Sequence, residues 1–198
     1  MTLPPIPAVD YTRWPVPEAG ECEKLLAKYM APEHIREHSR KVRDVARLIG
    51  EAAREKGLDA HLPSLEAAAL LHDIGKAYSI KHGGAHSQIG ASITIAETGN
   101  PVIAQAVMHH VYWPEEILVR DYFTPLTIIY SDKRVRHDRV VSIDDRFLDL
   151  FTRYGDSGRR TKMIRSSKNQ VLEIEKELER TIGAELHACT FDCRRLVQ

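Results

Sequence analysis

The sequence predicts an all-α protein, and three observations lead to that prediction. Apolar residues recur at intervals of three and four along residues 32–56, which is the period of an amphipathic helix. The same period returns along the highly charged segment that begins at Arg159. The β-branched run over residues 126–132 has no second strand-like segment with which to pair, so we predict a helix there as well.

Length and composition indicate a single soluble domain. A chain of 198 residues is long enough to bury roughly 70% of its unfolded surface in one core. Because 28 basic residues balance 28 acidic ones, no overall field favours a nucleic acid or an anionic membrane as partner. No run approaches the ~18 apolar residues of a membrane span. The N-terminus lacks a signal-peptide pattern, and three cysteines make no disulfide framework. We therefore expect a cytoplasmic protein.

Prolines and glycines set the boundaries of the predicted elements. The predicted order is an extended Pro-rich lead over residues 1–17, then helices over 18–30, 32–56, 62–73, 86–97, 102–112, 126–132 and 144–155, and a last helix from 159 onward. Pro32 suits the first turn of its helix, Gly57 stops that helix, and Ser64 is a plausible cap of the next one. Gly83-Gly84 predicts a loop, and Gly99-Asn100-Pro101 predicts a break between two helices.

The C-terminal part reads as helices added to the same domain. A proline-broken segment, 113–125, precedes the buried run, and Asp144-Asp145 is predicted to cap the following helix before Gly155 closes it. We expect the amphipathic helix within residues 159–198 to pack on the domain formed by residues 18–158 rather than to form a coiled coil. A homodimer is the alternative.

An apolar helix that ends in His72-Asp73 brings an imidazole and a carboxylate into a buried environment. Such groups stay buried at tolerable cost only when they are paired, hydrogen-bonded or bound to a metal. The inward polar residues found by the same reasoning along the chain are His38, His72, Asp73, His86, His109 or His110, and Asp132. Imidazole nitrogens and carboxylate oxygens together suit Fe, Mn, Co, Ni or Zn better than Ca or Mg.

This set is larger than one tetrahedral zinc ion needs, which indicates two metal ions with Asp73 as a bridge. Two ions ~3.5–4 Å apart can activate water for attack on phosphorus. Lys76, one helical turn beyond Asp73, is a candidate phosphate contact because a compact ammonium suits a phosphate oxygen; a surface lysine is the alternative. Lys133 and Arg134 could bind the rest of a nucleotide, or they could belong to a solvated helix face.

The order and spacing of these residues resemble the HD-domain superfamily of metal-dependent phosphohydrolases. The resemblance runs from about residue 30 to residue 155 and is carried by His38, the run His72-Asp73-Ile74-Gly75-Lys76, His86, His110 and Ser131-Asp132-Lys133. It implies an all-α helical bundle around a buried metal site. The six-ligand branch with a dinuclear centre looks closest, and the region 132–147 is also similar to small uncharacterised HD hydrolases.

The resemblance further implies which residues hold the metal. The ligands carried over are His38, His72, Asp73, His86, His110 and Asp132. They would bind one or two divalent or trivalent transition-metal ions, with a dinuclear iron centre as the leading expectation. Because the family places an aliphatic residue three positions before its fifth ligand, Val107 favours His110, and His109 remains the alternative.

The activity implied by the resemblance is hydrolysis of a phosphate ester or anhydride by metal-activated water. The substrate expected is a small phosphate compound, a nucleotide, with Asp73 and Lys76 as the catalytic groups. Two alternatives stay open. Some proteins that resemble the six-ligand pattern use two irons and O2 to oxidise an organic substrate. A regulator that binds metal or nucleotide without turnover is the other.

Overall fold

The computed structural model describes residues 13–188 and 190–191, and the predicted lead lies outside this part for residues 1–12. The helices are α1 (Ala19–Lys28), α2 (Glu33–Glu55), α3 (Leu62–Leu71), α4 (Lys76–His82), α5 (His86–Thr98), α6 (Pro101–His109), α7 (Phe123–Lys133), α8 (Ile143–Tyr154) and α9 (Gly158–Ile182). Two short antiparallel strands, β1 (Val135–Arg136) and β2 (Arg139–Val140), form a hairpin between α7 and α8. The all-α prediction is confirmed.

The centre of the bundle is the packing of α2 against α3. Helix α2 buries one stripe, as its period predicted, whereas α3 is buried along almost its whole length. Gly50 permits the close approach of the two helices, because a Cβ there would lie 2.6 Å from Leu62 and 2.7 Å from Leu65. The run Ala67–Leu71 is at most 2% exposed, so this helix delivers the residues that follow it directly into the interior.

Helix α7 is the second central element. Each of its residues from Phe123 to Lys133 is buried, which explains why its sequence shows no helical stripe and is rich in β-branched residues. Helix α9 covers it with the buried residues Val171, Ile174 and Leu178. A helix covered on all sides carries no amphipathic signal, so only the lack of a partner strand in the sequence indicated its type.

Two helix starts differ from their predicted caps. Helix α3 begins at Leu62, and the ring nitrogen Nδ1 of His61, rather than Ser64, accepts at the cap, from the Ser64 backbone N–H at 3.4 Å. Helix α8 is capped by Ser142, whose hydroxyl oxygen accepts from the Asp145 backbone N–H at 3.0 Å. Asp144 and Asp145 lie in the first turn instead, where negative charge favours the helix dipole.

Asn100 starts α6 and also ties the N-terminal segment to the bundle. Its Oδ1 accepts from the backbone N–H groups of Val102 and Ile103, and its Nδ2 donates to the Pro15 carbonyl at 3.1 Å. Helix α4 and the β1–β2 hairpin were not predicted. Within the described residues, no helix is both long enough and apolar enough to cross a bilayer.

Candidate metal centre

Six side chains from five parts of the chain converge at one place in the bundle. His38 comes from α2, His72 and Asp73 from the turn after α3, His86 from the first residue of α5, His110 from the end of α6, and Asp132 from α7. Five of these side chains are at most 9% exposed, and that of His86 is 30% exposed. The structure thus brings together the whole predicted ligand set.

Asp73 joins two clusters of potential ligand atoms. Atoms of His38, His72 and Asp73 lie within 4.8 Å of one another, and so do atoms of Asp73, His86 and His110. Asp73 Oδ1 lies 3.4 Å from His86 Nε2 and 3.6 Å from His110 Nε2, while Asp73 Oδ2 lies 3.5 Å from His72 Nε2. Each carboxylate oxygen therefore faces a different cluster, which is the arrangement that a bridging ligand requires.

Backbone carbonyls orient three of the imidazole rings. Nδ1 of His72 donates to the Ala69 carbonyl and Nδ1 of His110 to the Val107 carbonyl, both at 2.7 Å. These two residues end α3 and α6 in the same way, with the ring bonded three residues back. When Nδ1 carries the proton, Nε2 of a neutral ring keeps its lone pair and can serve as a ligand.

The hairpin supplies the corresponding acceptor for His38. His38 Nδ1 bonds the His137 carbonyl at 3.0 Å, and His38 Nε2 lies 3.0 Å from Asp132 Oδ1. His137 sits in the β1–β2 turn with a positive φ of 56°, a conformation uncommon for a residue other than glycine. The hairpin that the sequence analysis missed therefore helps to position a candidate ligand.

Two features of these rings fit bound metal. Nε2 of His72 is buried and has no hydrogen-bond partner in the described part of the chain. Nε2 of His86 and Nε2 of His110 face each other at 3.0 Å, an approach that needs a proton or a cation to be favourable. Burial and the neighbouring His110 lower the pKa of His86 to about 4, so its ring is neutral at pH 7. Unmet imidazole nitrogens beside two carboxylates match the donor preferences of transition metals.

The adjacent histidines at the end of α6 point in different directions. The ring of His110 faces Asp73, whereas the half-buried ring of His109 packs edge-on against Trp113, with centroids 5.3 Å apart. Successive helical residues are about 100° apart, so a single ring of such a pair can reach the centre. The structure thus places His110 in the site and His109 outside it.

Gly75 explains how α5 comes so near to Asp73. A Cβ at Gly75 would lie 2.3 Å from the His86 carbonyl oxygen and 2.5 Å from the Gly90 backbone nitrogen. Real structures do not tolerate such distances to backbone atoms, so any larger residue would push α5 outward. The glycine of the His-Asp-Ile-Gly run is therefore a packing requirement that keeps His86 within reach of the carboxylate.

Three predicted cationic residues take different positions. Lys76 Nζ donates to Asp73 Oδ2 at 2.7 Å, and Lys133 Nζ forms an ion pair with Asp132. Burial favours the neutral amine of Lys76, but the Asp73 carboxylate raises the pKa of Lys76 above its ordinary value. Arg134 is not at the site, because its guanidinium donates to the Tyr130 hydroxyl and to the carbonyl of Leu186.

A cavity of about 690 Å³ opens onto this centre. Its inner end is polar and is lined by Asp73, Lys76, His86, His110, Asp132, Lys133 and Arg146. Its outer wall is largely apolar and includes Ile80, Tyr112, Tyr154 and Met163. Volume and lining are in the range of small-molecule sites in proteins.

Sequence reasoning missed Arg146 and the contributions of α8 and α9 to this wall. One signal was present: Arg146 lies three residues after Ile143 and four before Leu150, so it falls on the apolar stripe of its helix. A charged residue on the buried face of a helix indicates a functional site for the same reason that a buried histidine does, because such groups are rarely buried without a partner.

The fold and the site together define a helical-bundle protein with a largely buried cluster of His and Asp side chains that could hold a metal ion. A family model described as HD domain matches residues 35–150, more than half of the chain. The chain therefore belongs to the HD domain family, and the resemblance found from its motifs is confirmed.

Curated relatives share part of this chain. It is 26% identical over 185 residues to Ribonuclease Y of Opitutus terrae, covering 82% of this chain and 34% of that protein. It is 39% identical over 102 residues to Ribonuclease Y of Aquifex aeolicus, covering 48% and 17%, and 40% identical over 67 residues to that of Wolinella succinogenes, covering 34% and 12%. The chain spans about a third or less of these relatives. No solved structure gave a significant match.

Proposed function

We propose that this protein is a metal-dependent phosphohydrolase that cleaves a phosphate ester or anhydride of a nucleotide. The observation that carries the proposal is the position of Asp73, whose two oxygens face two separate ligand clusters. Membership in the HD domain family supports it. The ligands in this proposal are His38, His72, Asp73, His86, His110 and Asp132.

Transition-metal ions in such a site lower the pKa of bound water and stabilise charge on a phosphoryl group. The chain's own residues would do the rest. The carbonyl bonds to Nδ1 hold the ring nitrogens toward the centre, so little reorganisation is needed on binding. Lys76, at the inner end of the cavity, would hold a phosphate oxygen beside the ligand clusters.

Cavity size and lining support a nucleotide as the substrate. About 690 Å³ accommodates a molecule of that size, and the phosphates would lie at the polar inner end. Tyr112 and Tyr154 on the outer wall are 51% and 47% exposed, which leaves aromatic faces against which a base can stack. The relatives named Ribonuclease Y make RNA a second candidate substrate, since cleavage of RNA is also phosphoester hydrolysis.

The test combines metal analysis with a substrate screen. Purified protein would be loaded separately with Fe, Mn, Co, Ni and Zn, and metal per chain measured by plasma emission. Each form would then be assayed on nucleoside mono-, di- and triphosphates, dinucleoside polyphosphates and short RNA. We expect phosphate or nucleotide release from a small nucleotide, with no release by Asp73→Ala purified in parallel.

Other outcomes separate the alternatives. Cleavage of RNA alone would keep the phosphohydrolase and replace the nucleotide substrate. Nucleotide binding without product under every metal would indicate a regulator. O2 consumption with a stable mixed-valent iron pair, and no hydrolysis, would indicate an oxygenase.

A further inference from the structure

Arg146 on α8 is a buried cation whose hydrogen-bonding capacity is largely unused. The residue is 9% exposed, and its Nε is buried with no partner among the described residues. Its NH1 reaches Asp149 at 3.4 Å, and its NH2 lies 3.6 Å from Asp132, beyond hydrogen-bond distance. A guanidinium has five N–H donors, and burying them unmet is costly.

A second buried arginine, Arg134, shows the opposite hydrogen-bonding pattern. Arg134 is 2% exposed, and its Nε donates to the Val141 carbonyl at 2.9 Å. Its NH1 donates to the Tyr130 hydroxyl and to the Leu186 carbonyl. This chain therefore meets the donors of a buried arginine where the role is structural. The unmet donors of Arg146 point to a partner that is absent from the protein itself.

The location of Arg146 indicates what that partner is. Arg146 lines the inner end of the cavity, together with Lys76 and Lys133. The two lysines are each paired with a carboxylate of the centre, Lys76 with Asp73 and Lys133 with Asp132. Arg146 makes longer contacts than either lysine, so its donors are less engaged by the protein than those of Lys76 and Lys133.

We propose that Arg146 binds a phosphoryl group of the substrate through its Nε and NH2 edge. Two parallel N–H donors match two oxygens of a phosphate, a geometry that a lysine cannot reproduce. Asp149 accepts from NH1 on the other side of the guanidinium, and Asp132 lies 3.6 Å from NH2, beyond hydrogen-bond distance, so neither carboxylate satisfies this edge. The inference rests on the proposed function, and it adds a phosphate-binding residue to the cavity that Lys76 also lines.

A purely structural role makes a different prediction. If Arg146 served only to position Asp132, its loss would reduce metal affinity first and anion binding as a consequence. If Arg146 binds phosphate, anion affinity falls while metal per chain stays the same. Measuring both quantities on the same samples separates the two roles.

The experiment uses the full chain loaded with the metal that it retains best. Binding of inorganic phosphate and of pyrophosphate would be measured by titration calorimetry for wild type, Arg146→Gln, Arg146→Lys and a control. The control is Arg160→Gln. Arg160 lies on α9 and forms an exposed ion pair with Asp156, so this change removes the same charge away from the cavity. We expect anion affinity to fall at least ~10-fold in both Arg146 variants and to be unchanged in the control.

Several results would overturn the inference. These are unchanged anion affinity in Arg146→Gln, full restoration by Arg146→Lys, loss of metal together with anion binding, or no anion binding by wild type. If Arg146→Gln does not fold, Arg146→Lys retains the buried charge and decides the question alone. Because binding needs no turnover, a wild type that binds phosphate through Arg146 but hydrolyses nothing would contradict the proposed hydrolysis and leave this inference standing.

Discussion

Helix α7 separates two buried polar networks. They differ in whether every buried polar group has a hydrogen-bond partner within the protein. On one face, the Tyr130 hydroxyl donates to Glu175 at 2.8 Å and accepts from Arg134, whose guanidinium lies 3.9 Å from Glu175. On the other face, Asp132 meets His38 in the candidate metal centre. Tyr130 and Arg134 are four residues apart and share a face, whereas Asp132 lies about 200° around the helix from each.

The first network joins α7 to α9, and each of its three side chains has a hydrogen-bond partner within the protein. It fixes α9 on α7 and includes a cation, a carboxylate and a hydroxyl that satisfy one another. The second network leaves His72 Nε2 without a hydrogen-bond partner among the described residues and holds two imidazole nitrogens face to face. A buried polar network in which every group is hydrogen-bonded helps to specify a fold. A network with unsatisfied groups lowers stability unless a ligand or metal ion binds there. The difference is the reason for placing the candidate functional site in the second network.

The strongest test of this comparison is Asp73→Ala. Removing the carboxylate takes away the group common to both ligand clusters. We therefore expect metal affinity to fall ~100-fold or more, so that dialysed protein retains little metal, and we expect hydrolysis to be lost. Plasma emission on dialysed protein and the substrate screen would measure the two effects. Metal content equal to that of wild type would show that the second network is not a metal centre.

The tandem histidines give the next largest effect and carry their own control. His110→Ala removes a buried ring whose Nε2 faces Asp73, so metal affinity should fall by more than the ~10–100-fold typical of outer-sphere changes. His109→Ala removes a ring that packs on Trp113, and it should leave metal affinity close to that of wild type. Competition with a chromogenic chelator would compare the two variants, and the reverse order would exchange their assignments.

Lys76→Ala is expected to weaken turnover and to preserve the metal. If Lys76 Nζ holds a substrate phosphate, kcat/KM should fall. The corresponding loss of transition-state stabilisation should be about 1.5–3 kcal/mol, the value of a hydrogen bond to a charged group. Lys76→Arg need not rescue it, because a planar fork does not reproduce a compact ammonium at the same depth. Unchanged kcat/KM would make the ion pair with Asp73 its sole role, and loss of metal with activity would make Lys76 a support of the centre.

The residues of the candidate metal centre were easier to predict from the sequence than the cavity around it. His72 and Asp73 follow an apolar run, so local sequence alone marks them as inward polar groups. The cavity wall is assembled from α4, α8 and α9, which meet only after the bundle has formed. Arg134 was expected to bind substrate, but it does not line this cavity, because its side chain points about 100° away from that of its neighbour Lys133.

Burial on all sides also limited what the pattern could predict. Helices α3 and α7 lack a polar face, so neither shows an amphipathic stripe, and for α7 only the absence of a strand partner in the sequence indicated its type. Helix α4 is seven residues long and has no buried residue, so it has no hydrophobic period to detect. The two-residue strands of the hairpin are equally short, and the positive φ of His137 leaves no glycine signal in the sequence.

The smallest expected effect comes from opening the closed network on α7. Tyr130→Phe removes one hydroxyl and keeps the ring, which is fully buried against the core. Glu175 loses a donor and Arg134 loses an acceptor, but the ion pair between them remains and can shorten. We expect the free energy of unfolding to fall by about 0.5–1.5 kcal/mol, measured by urea denaturation of the metal-free protein. Metal per chain should not change, because the hydroxyl lies on the face of α7 opposite Asp132.

Thr152→Ala is a suitable control, since it deletes an exposed hydroxyl bonded within α8 at 2.9 Å and should leave stability nearly unaltered. A Tyr130→Phe protein that keeps its stability but loses metal would mean that the two networks are coupled through α7, and the separation drawn between them would be wrong.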